Sequence, residues 1–152
     1  MSGTDALLRD LADRAELADL VARHSLWLDE GRWDETDRLF TEDVAVTSRH
    51  GEARGIEAIV AIARKGHDEY ARTMHCKSNV VIEIDGDTAT VRAHDIAVFL
   101  IDDATEALAA AIHRYGARRT AHGWRFSSLE VTPVTLTAAI DRAALPLPTG
   151  KA

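Results

Sequence analysis

The sequence predicts an α+β fold in which N-terminal helices pack on a strongly curved, mainly antiparallel sheet that encloses a pocket. Apolar residues recur at helical spacing through the first third of the chain. Later runs are rich in valine, isoleucine and threonine and are interrupted by Asp-Gly and His-Gly turn pairs. Helices that precede a series of strands form one layer on one face of the sheet, which leaves space for a cavity between the layers.

Length and composition restrict the class of protein. The chain has 152 residues, 46% hydrophobic and 28% charged, which is typical of one globular domain. We expect that domain over residues 1–145 and a loose tail over residues 146–152. The net charge of −7 argues against a nucleic-acid partner. The N-terminus lacks the apolar core of a signal peptide, and no apolar run approaches the roughly 20 residues of a membrane span, so we expect a cytoplasmic protein with no membrane partner.

The N-terminal part of the chain is predicted to be helical. Thr4 is expected to cap a short helix, and Asp13 to begin a longer one that ends at Gly31. Residues 33–40 and 56–63 have the spacing of two further short helices. Between these two helices the sequence predicts a brief strand over residues 44–48 and a turn-rich loop over residues 50–55.

A long hairpin over residues 74–101 determines the predicted site. Asp85-Gly86 fits a two-residue type I′ turn. With an unbroken ladder, His75 faces Ile96 and is the diagonal neighbour of His94. One face then carries His75, Lys77, His94, Ile96, Val98 and Leu100. A bulge in this hairpin would move His94 to the other face.

The C-terminal part of the chain is predicted to contain a second hairpin. It joins residues 112–120 to residues 124–131. The alanine-rich stretch over residues 105–112 has helical propensity, but we favour a strand from about Leu108 because the first hairpin needs a partner. A last short helix is expected over residues 137–144, where prolines flank the segment.

Asp29, His75 and His94 are the candidate catalytic residues. Asp29 lies in the last turn of the long helix, where its carboxylate can accept a hydrogen bond from an imidazole Nδ1–H. Such a bond fixes the tautomer and leaves Nε2 as a general base that faces the cavity. The alternatives are a solvated carboxylate at a helix end and a structural core histidine. The residues expected to bind substrate are His24, Ile96, Val98, His113 and Tyr115.

No cofactor and no metal site is expected. The sequence lacks HxH, HxxxH and CxxC spacings, a GxSxG nucleophile motif and a glycine-rich phosphate loop. One carboxylate and two histidines from separate elements can form a metal-binding triad, which is the less favoured alternative. Cys76 is the single cysteine, so an intramolecular disulfide is excluded, and its expected place opposite His75 disfavours a nucleophilic role.

Four segments resemble the SnoaL-like domains of the nuclear transport factor 2-like superfamily. They span residues 13–44, 55–62, 72–94 and 118–131. The resemblance implies a cone-shaped α+β barrel around a pocket, usually in a homodimer or homotrimer. The nearest likeness is to scytalone dehydratase, bile-acid 7α-dehydratase and hexachlorocyclohexane dehydrochlorinase, in which a helix-end aspartate pairs with a histidine at the start of a hairpin strand. Asp29 and His75 match that pair, and His94 matches the second histidine of scytalone dehydratase.

The resemblance also implies a class of function. It suggests a cofactor-free lyase or isomerase, similar to dehydratases and cyclases, that acts on a small apolar cyclic substrate such as a polyketide, terpenoid or steroid. Leu28 replaces a tyrosine of scytalone dehydratase, and His24 replaces a lysine of the dehydrochlorinase, so neither of those substrates is supported. A non-catalytic small-molecule-binding or subunit-interaction module of the same fold is the alternative.

Overall fold

The architecture is a layer of helices on a curled, mostly antiparallel sheet. The computed structural model describes residues 2–49 and 51–141. Helix α1 (Gly3–Asp29) leads through a 3₁₀ turn (Trp33–Glu35) to the short helix α2 (Thr36–Leu39), and α3 (Ile56–Asp68) follows the first two strands. The strands are β1 (Phe40–Ser48), β2 (Gly51–Arg54), β3 (Arg72–Asp85), β4 (Thr88–Leu100), β5 (Thr105–Thr120), β6 (Gly123–Leu136) and β7 (Ile140–Asp141).

The sheet order is β2-β1-β6-β5-β4-β3, and β7 pairs with β5 at one end. Only the β1–β6 pair is parallel among the described strand pairs. The α+β class and the helices on a curved sheet are therefore confirmed. The sheet does not close into a complete barrel, because the described parts of β2 and β3 form its two edges without pairing with each other.

Helix α1 is one continuous helix rather than two. It begins at a capping box in which Ser2 and Asp5 exchange hydrogen bonds, so the predicted caps at Thr4 and Asp13 are wrong. The Asp13 carboxylate is directed towards the sheet, where it accepts two hydrogen bonds from Arg119 and one from Trp124 Nε1. A buried anion within the helix thus links α1 to the β5–β6 hairpin.

The hydrophobic core lies between the C-terminal half of α1 and the inner face of the sheet. Leu17 and Val21 of the helix, and Trp124 and Phe126 of β6, have almost no exposed surface. The backbone N–H of Trp124 also donates to the Glu16 carboxylate. Burial of large apolar side chains at about 25 cal/mol per Å² stabilises this junction and holds α1 in a fixed orientation across the sheet.

The β3–β4 hairpin has a different register from the predicted one. Asp85 pairs with Thr88 at the turn, and a bulge at Asn79, where φ is +52°, shifts the ladder by one residue. The two turn residues are Gly86 and Asp87 rather than the predicted Asp85 and Gly86, which moves the pairing by two residues, and the bulge moves it back by one. His75 therefore pairs with Ala97 rather than Ile96. The bulge changes which residues of β3 face inward, whereas β4 alternates without interruption along its length.

Three other segment predictions need correction. Residues 51–54 form an edge strand within the predicted loop, whose His50 lies outside the described residues. The alanine-rich stretch is a strand from Thr105 onwards, as favoured but longer. The predicted helix over residues 137–144 is wrong for residues 137–141, because β6 continues to Leu136 and the short strand β7 follows it. Residues 142–144 of that predicted helix and the predicted tail lie beyond the described residues.

A membrane-spanning helix is not found among the described residues. Even the longest helix, α1, is not apolar enough to cross a bilayer. Its charged residues recur along the whole length, and its buried residues form one stripe that faces the sheet.

Candidate functional site

A cavity of about 300 Å³ lies between the helices and the inner face of the sheet. Its walls are mostly apolar, with Trp27 from α1, Ile59 from α3 and Phe99 from β4 among them. The alanines at positions 109–111 of β5 also line it, and their small side chains leave the space that larger residues would fill. His24, His75, Asp95 and His113 place polar groups on this apolar wall. An apolar cavity with a few convergent polar groups is typical of a small-molecule site.

Asp29 and His75 form a close pair at the edge of this cavity. Asp29 Oδ1 accepts from His75 Nδ1 at 2.6 Å, and Asp29 Oδ2 accepts from the His75 backbone N–H at 2.9 Å. Thr73 Oγ1 donates a third hydrogen bond to Oδ1 at 2.9 Å. Because the carboxylate holds both the backbone and the ring of His75, the imidazole has one defined orientation.

The pair has a defined distribution of protons. A carboxylate can only accept, so the ring proton of neutral His75 lies on Nδ1 and Nε2 carries a lone pair. Burial alone would raise the pKa of Asp29, but its hydrogen bonds from His75 and Thr73 outweigh that effect and hold the pKa below its ordinary value. Asp29 is therefore ionised at neutral pH and can stabilise an imidazolium on His75.

A second group of polar side chains lies deeper in the cavity wall. Lys77 Nζ donates to Asp95 Oδ1 at 2.6 Å, and His113 Nε2 lies 3.5 Å from Asp95 Oδ2. Burial lowers the pKa of Lys77, an effect that the charge of Asp95 opposes. Burial also lowers the pKa of His113 to about 2, and the Lys77 charge adds to that shift, so His113 is neutral beside an aspartate whose charge is already paired.

Tyr115 connects this group to helix α1. Its hydroxyl lies 3.2 Å from His113 Nδ1 and 2.9 Å from His24 Nδ1. Burial raises the pKa of the Tyr115 hydroxyl well above its ordinary value, and nearby Asp95 adds to the shift. Burial lowers the pKa of His24 well below its ordinary value, with the Lys77 charge as a further cause. Both groups are therefore neutral at physiological pH.

The structure brings together some of the residues predicted for the site and separates others. Asp29 and His75 are in contact, His24 and His113 line the cavity, and Tyr115 lies directly behind these two histidines. The predicted inward orientation of three β4 residues is wrong, because the bulge in β3 and the register of β4 place them on the outer face. These residues are His94, Ile96 and Val98.

The environment of His94 differs from that of the cavity. Arg92 donates to His94 Nε2 at 3.1 Å, and the Asn79 side chain contacts His94 Nδ1 at 3.0 Å. Both ring nitrogens are thus occupied on the outer side of the sheet. The inward positions of β4 are odd-numbered, including Ala93 and Ala97.

Sequence reasoning missed Asp95 and did not assign a role to Lys77. A signal for the correct orientation of β4 was present: Ala89, Val91 and Ala93 are apolar, while their even-numbered neighbours are polar. That alternation indicates which face is buried near the turn. It also places Asp95 on the same inner face, where a buried carboxylate requires a cationic partner.

A metal site would need several ligating side chains close together among the described residues. No group of three or more His, Cys, Asp or Glu side chains among them has an arrangement that could hold a metal ion. The site is instead built from an apolar wall, an acid-paired imidazole and a neutral polar chain.

The fold and the site define a class of protein. Helices packed on a curled, mostly antiparallel sheet around an apolar pocket form the architecture of the nuclear transport factor 2-like α+β fold. The chain belongs to the SnoaL-like domain family, whose family model matches residues 9–130. The resemblance seen in the sequence is thereby confirmed. The comparison with curated proteins found no match.

Several solved structures share the fold. A hexachlorocyclohexane dehydrochlorinase, LinA type 2, is 21% identical with a TM-score of 0.81, over 93% of this chain and 98% of that one. An NTF2-like protein with a cystatin-like fold from Novosphingobium aromaticivorans is 27% identical with a TM-score of 0.76, over 95% and 96% of the two chains. A candidate scytalone dehydratase from the same species is 21% identical with a TM-score of 0.76, over 97% and 99%.

Proposed function

We propose that the protein is a cofactor-free lyase or isomerase that acts on a small, mostly apolar cyclic molecule, such as a polyketide, terpenoid or steroid. The observation that carries the proposal is the 2.6 Å hydrogen bond between Asp29 and His75 at an apolar cavity of about 300 Å³, a contact that leaves the lone pair of neutral His75 on Nε2. Two solved structures of the same fold bear the names of a dehydrochlorinase and a dehydratase, and both names denote eliminations.

The proposed reaction uses His75 first as a base and then as an acid. His75 Nε2 takes a proton from a carbon next to an electron-withdrawing group, and the electron pair of that C–H bond forms a carbon–carbon double bond. The C–O bond of the neighbouring carbon breaks, and the hydroxyl leaves with its electron pair and the proton that His75 returns, as water. In an isomerisation the proton returns to a different carbon. Asp29 stabilises the intermediate imidazolium, and each positioned acid or base contributes about 10²–10⁴-fold.

The alternative is a non-catalytic binding module of the same fold. In a binding module, we would expect side chains to fill the cavity, or Asp29 and His75 to lie farther apart than one bridging water molecule can span. The open cavity and the direct contact of the two side chains support the enzyme instead. The polar chain from Lys77 to His24 serves binding in either case, so turnover must be measured to decide between the two functions.

Two probe reactions test the proposal without knowledge of the natural substrate. Ring opening of 5-nitrobenzisoxazole requires only a base that removes one C–H proton, and it releases a coloured phenolate. Dehydration of 3-hydroxycyclohexanone gives an enone with a strong ultraviolet absorbance. We expect wild-type protein to accelerate at least one of these reactions over buffer, and His75→Ala to lose about 10²-fold or more of the rate.

His122→Ala is the matched control for this experiment. His122 is an exposed histidine in the β5–β6 turn and is not among the residues that line the cavity, so its loss should leave the rate unchanged. Equal rates for wild type and His75→Ala would remove the assigned role of His75. Absence of acceleration with both probes, in protein that binds apolar ligands, would favour the binding module.

We also propose that the chain forms a homodimer or homotrimer through the outer face of its sheet. Met74, Ile96, Leu108 and Val134 are exposed there and form apolar surface on neighbouring strands. Light scattering on the purified protein measures the number of subunits. A monomer at micromolar concentration would contradict this assembly. The expected cytoplasmic location stays a prediction that fractionation of the source cells tests.

A further inference from the structure

A chain of five polar side chains crosses the inner wall of the cavity, and the Asp29–His75 pair does not use it. The chain runs from Lys77 through Asp95, His113 and Tyr115 to His24. The side chains of Lys77, Asp95 and His113 are only 3%, 7% and 6% exposed. Polar groups buried to this extent are costly unless their protons and lone pairs match. The position of each proton along the chain is therefore constrained.

Asp95 determines the direction of the hydrogen bonds. Its carboxylate can only accept, and one of its oxygens is occupied by Lys77. The other oxygen lies 3.5 Å from His113 Nε2 and would repel a nitrogen lone pair there, so the proton of neutral His113 lies on Nε2. His113 Nδ1 then carries a lone pair and accepts from the Tyr115 hydroxyl.

Tyr115 passes this direction on to His24. A phenol has one proton, and Tyr115 donates it to His113. Its oxygen can then only accept, so the proton of His24 must lie on Nδ1, which is 2.9 Å away. His24 Nε2 consequently carries a bare lone pair. Since His24 lines the cavity, that lone pair is an acceptor on its wall.

We propose that His24 is a fixed hydrogen-bond acceptor in the cavity, and that the molecule bound there is a small, mostly apolar compound that presents a hydroxyl group to it. The inference rests on the proposed function in that the bound compound is the substrate of His75. A lone pair accepts from O–H and repels a carbonyl oxygen, so His24 selects an alcohol over the matching ketone. The lowered pKa of His24, caused by burial, keeps the ring neutral and preserves this selectivity at physiological pH.

The position of the His24 proton is measured directly by NMR. Long-range ¹H–¹⁵N correlation spectra of the ¹⁵N-labelled protein distinguish protonated from unprotonated ring nitrogens, and His24→Asn assigns the signals. We expect Nδ1 of His24 to be protonated and Nε2 to be bare. Tyr115→Phe keeps the ring and removes the hydroxyl, so the tautomer should shift towards Nε2–H. A proton on Nε2 in the wild-type protein overturns the inference, even if the Tyr115 variant fails to fold.

Ligand selectivity is measured with cyclohexanol and cyclohexanone as probes. Titration followed by NMR should show that wild-type protein binds the alcohol about 3- to 10-fold more tightly than the ketone, which is the effect of one hydrogen bond. His24→Phe keeps an aromatic ring and should abolish the preference. His67→Phe changes another cavity histidine, whose Nδ1 donates to the Leu28 carbonyl, and should retain it. No preference in the wild type, or a preference that survives His24→Phe, contradicts the inference.

These measurements separate the inference from the proposed function because neither requires turnover. Asp29→Asn removes the acid partner of His75 and should leave the tautomer of His24 unchanged. Absent turnover together with Nδ1–H on His24 refutes the lyase or isomerase and supports the acceptor. Turnover that depends on His75 together with Nε2–H on His24 supports the enzyme and refutes the acceptor.

Discussion

Replacement of Asp29 by asparagine separates the structural role of this carboxylate from its effect on His75. The carboxylate accepts three hydrogen bonds, two on Oδ1 and one on Oδ2. An asparagine has a single accepting atom. If its oxygen occupies the Oδ1 position, the amide NH₂ faces the His75 backbone N–H, and one buried donor is left without an acceptor at a cost of about 1–3 kcal/mol.

The opposite orientation of the asparagine gives the His75 backbone N–H an acceptor. The amide oxygen accepts from the His75 backbone, the Thr73 hydroxyl turns to accept, and the amide NH₂ donates to His75 Nδ1. The proton of His75 must then move to Nε2, so the base that faces the cavity becomes a donor. We therefore expect the variant to fold and to lose about 1–3 kcal/mol of unfolding free energy, because neutral hydrogen bonds replace three bonds to a charged carboxylate. We also expect it to lose about 10²–10⁴-fold in kcat/KM.

The rate of 5-nitrobenzisoxazole ring opening and urea unfolding measure the two effects. Thr73→Val is the matched control, because it removes one hydrogen bond to Asp29 and leaves the tautomer of His75 in place. This control should change the rate by less than about threefold and the stability by about 1 kcal/mol. A folded Asp29→Asn protein with the wild-type rate would refute the argument that the carboxylate sets the protonation of His75.

Three further predictions concern the free energy of unfolding, measured with urea. Gly123→Ala should cost about 2–4 kcal/mol, because φ is +93° and a Cβ would displace the Glu16 carboxylate, which accepts a hydrogen bond from the Trp124 backbone N–H. Gly51→Ala, with positive φ in open space, should cost only about 1–2 kcal/mol; equal losses would exclude the contribution assigned to Glu16. Lys77→Met leaves a buried anion unpaired and should cost about 3–5 kcal/mol, and adding Asp95→Asn should restore part of it; additive losses would show that the pair is not coupled. Asp13 has a lowered pKa, chiefly because its arginine partner donates to it, so its contribution is complete above about pH 4 and is lost as pH falls through the folded pKa. Asp13→Asn should therefore show a shallower loss of stability from pH 5 to pH 3 than wild type, and parallel curves would contradict this linkage.

The contact between Asp29 and His75 was predictable because the features that place these residues are local in sequence and do not depend on the exact register of the hairpin. The apolar stripe of α1 and the stop at Gly31 place Asp29 at the helix end. The parity of His75 relative to Lys77 does not depend on the pairing with β4. The likeness to SnoaL-like domains supplied the contact between two elements that are distant in sequence.

The orientation of His94 was not predictable from the turn alone. Asn79 adopts the positive φ of the bulge, which asparagine tolerates, but a single asparagine in the sequence NVVIE does not mark a bulge as a glycine would. The error at residues 137–144 has a different origin. Pro133 lies beyond the last residue of β6 that pairs with β1, so its missing N–H does not interrupt that ladder, and the strand continues past it.

The extra residue in β3 changes which side chains of that strand face inward on either side of the bulge. On the turn side of Asn79 the even-numbered Ile82 and Ile84 pack against the core. On the other side the odd-numbered His75 and Lys77 are the residues that face inward. Removal of that single amino acid would restore a regular ladder and exchange inside for outside over residues 72–78. Such a chain would keep much of its sheet, but His75 would face solvent. The folded protein would then lack the proposed base in its cavity.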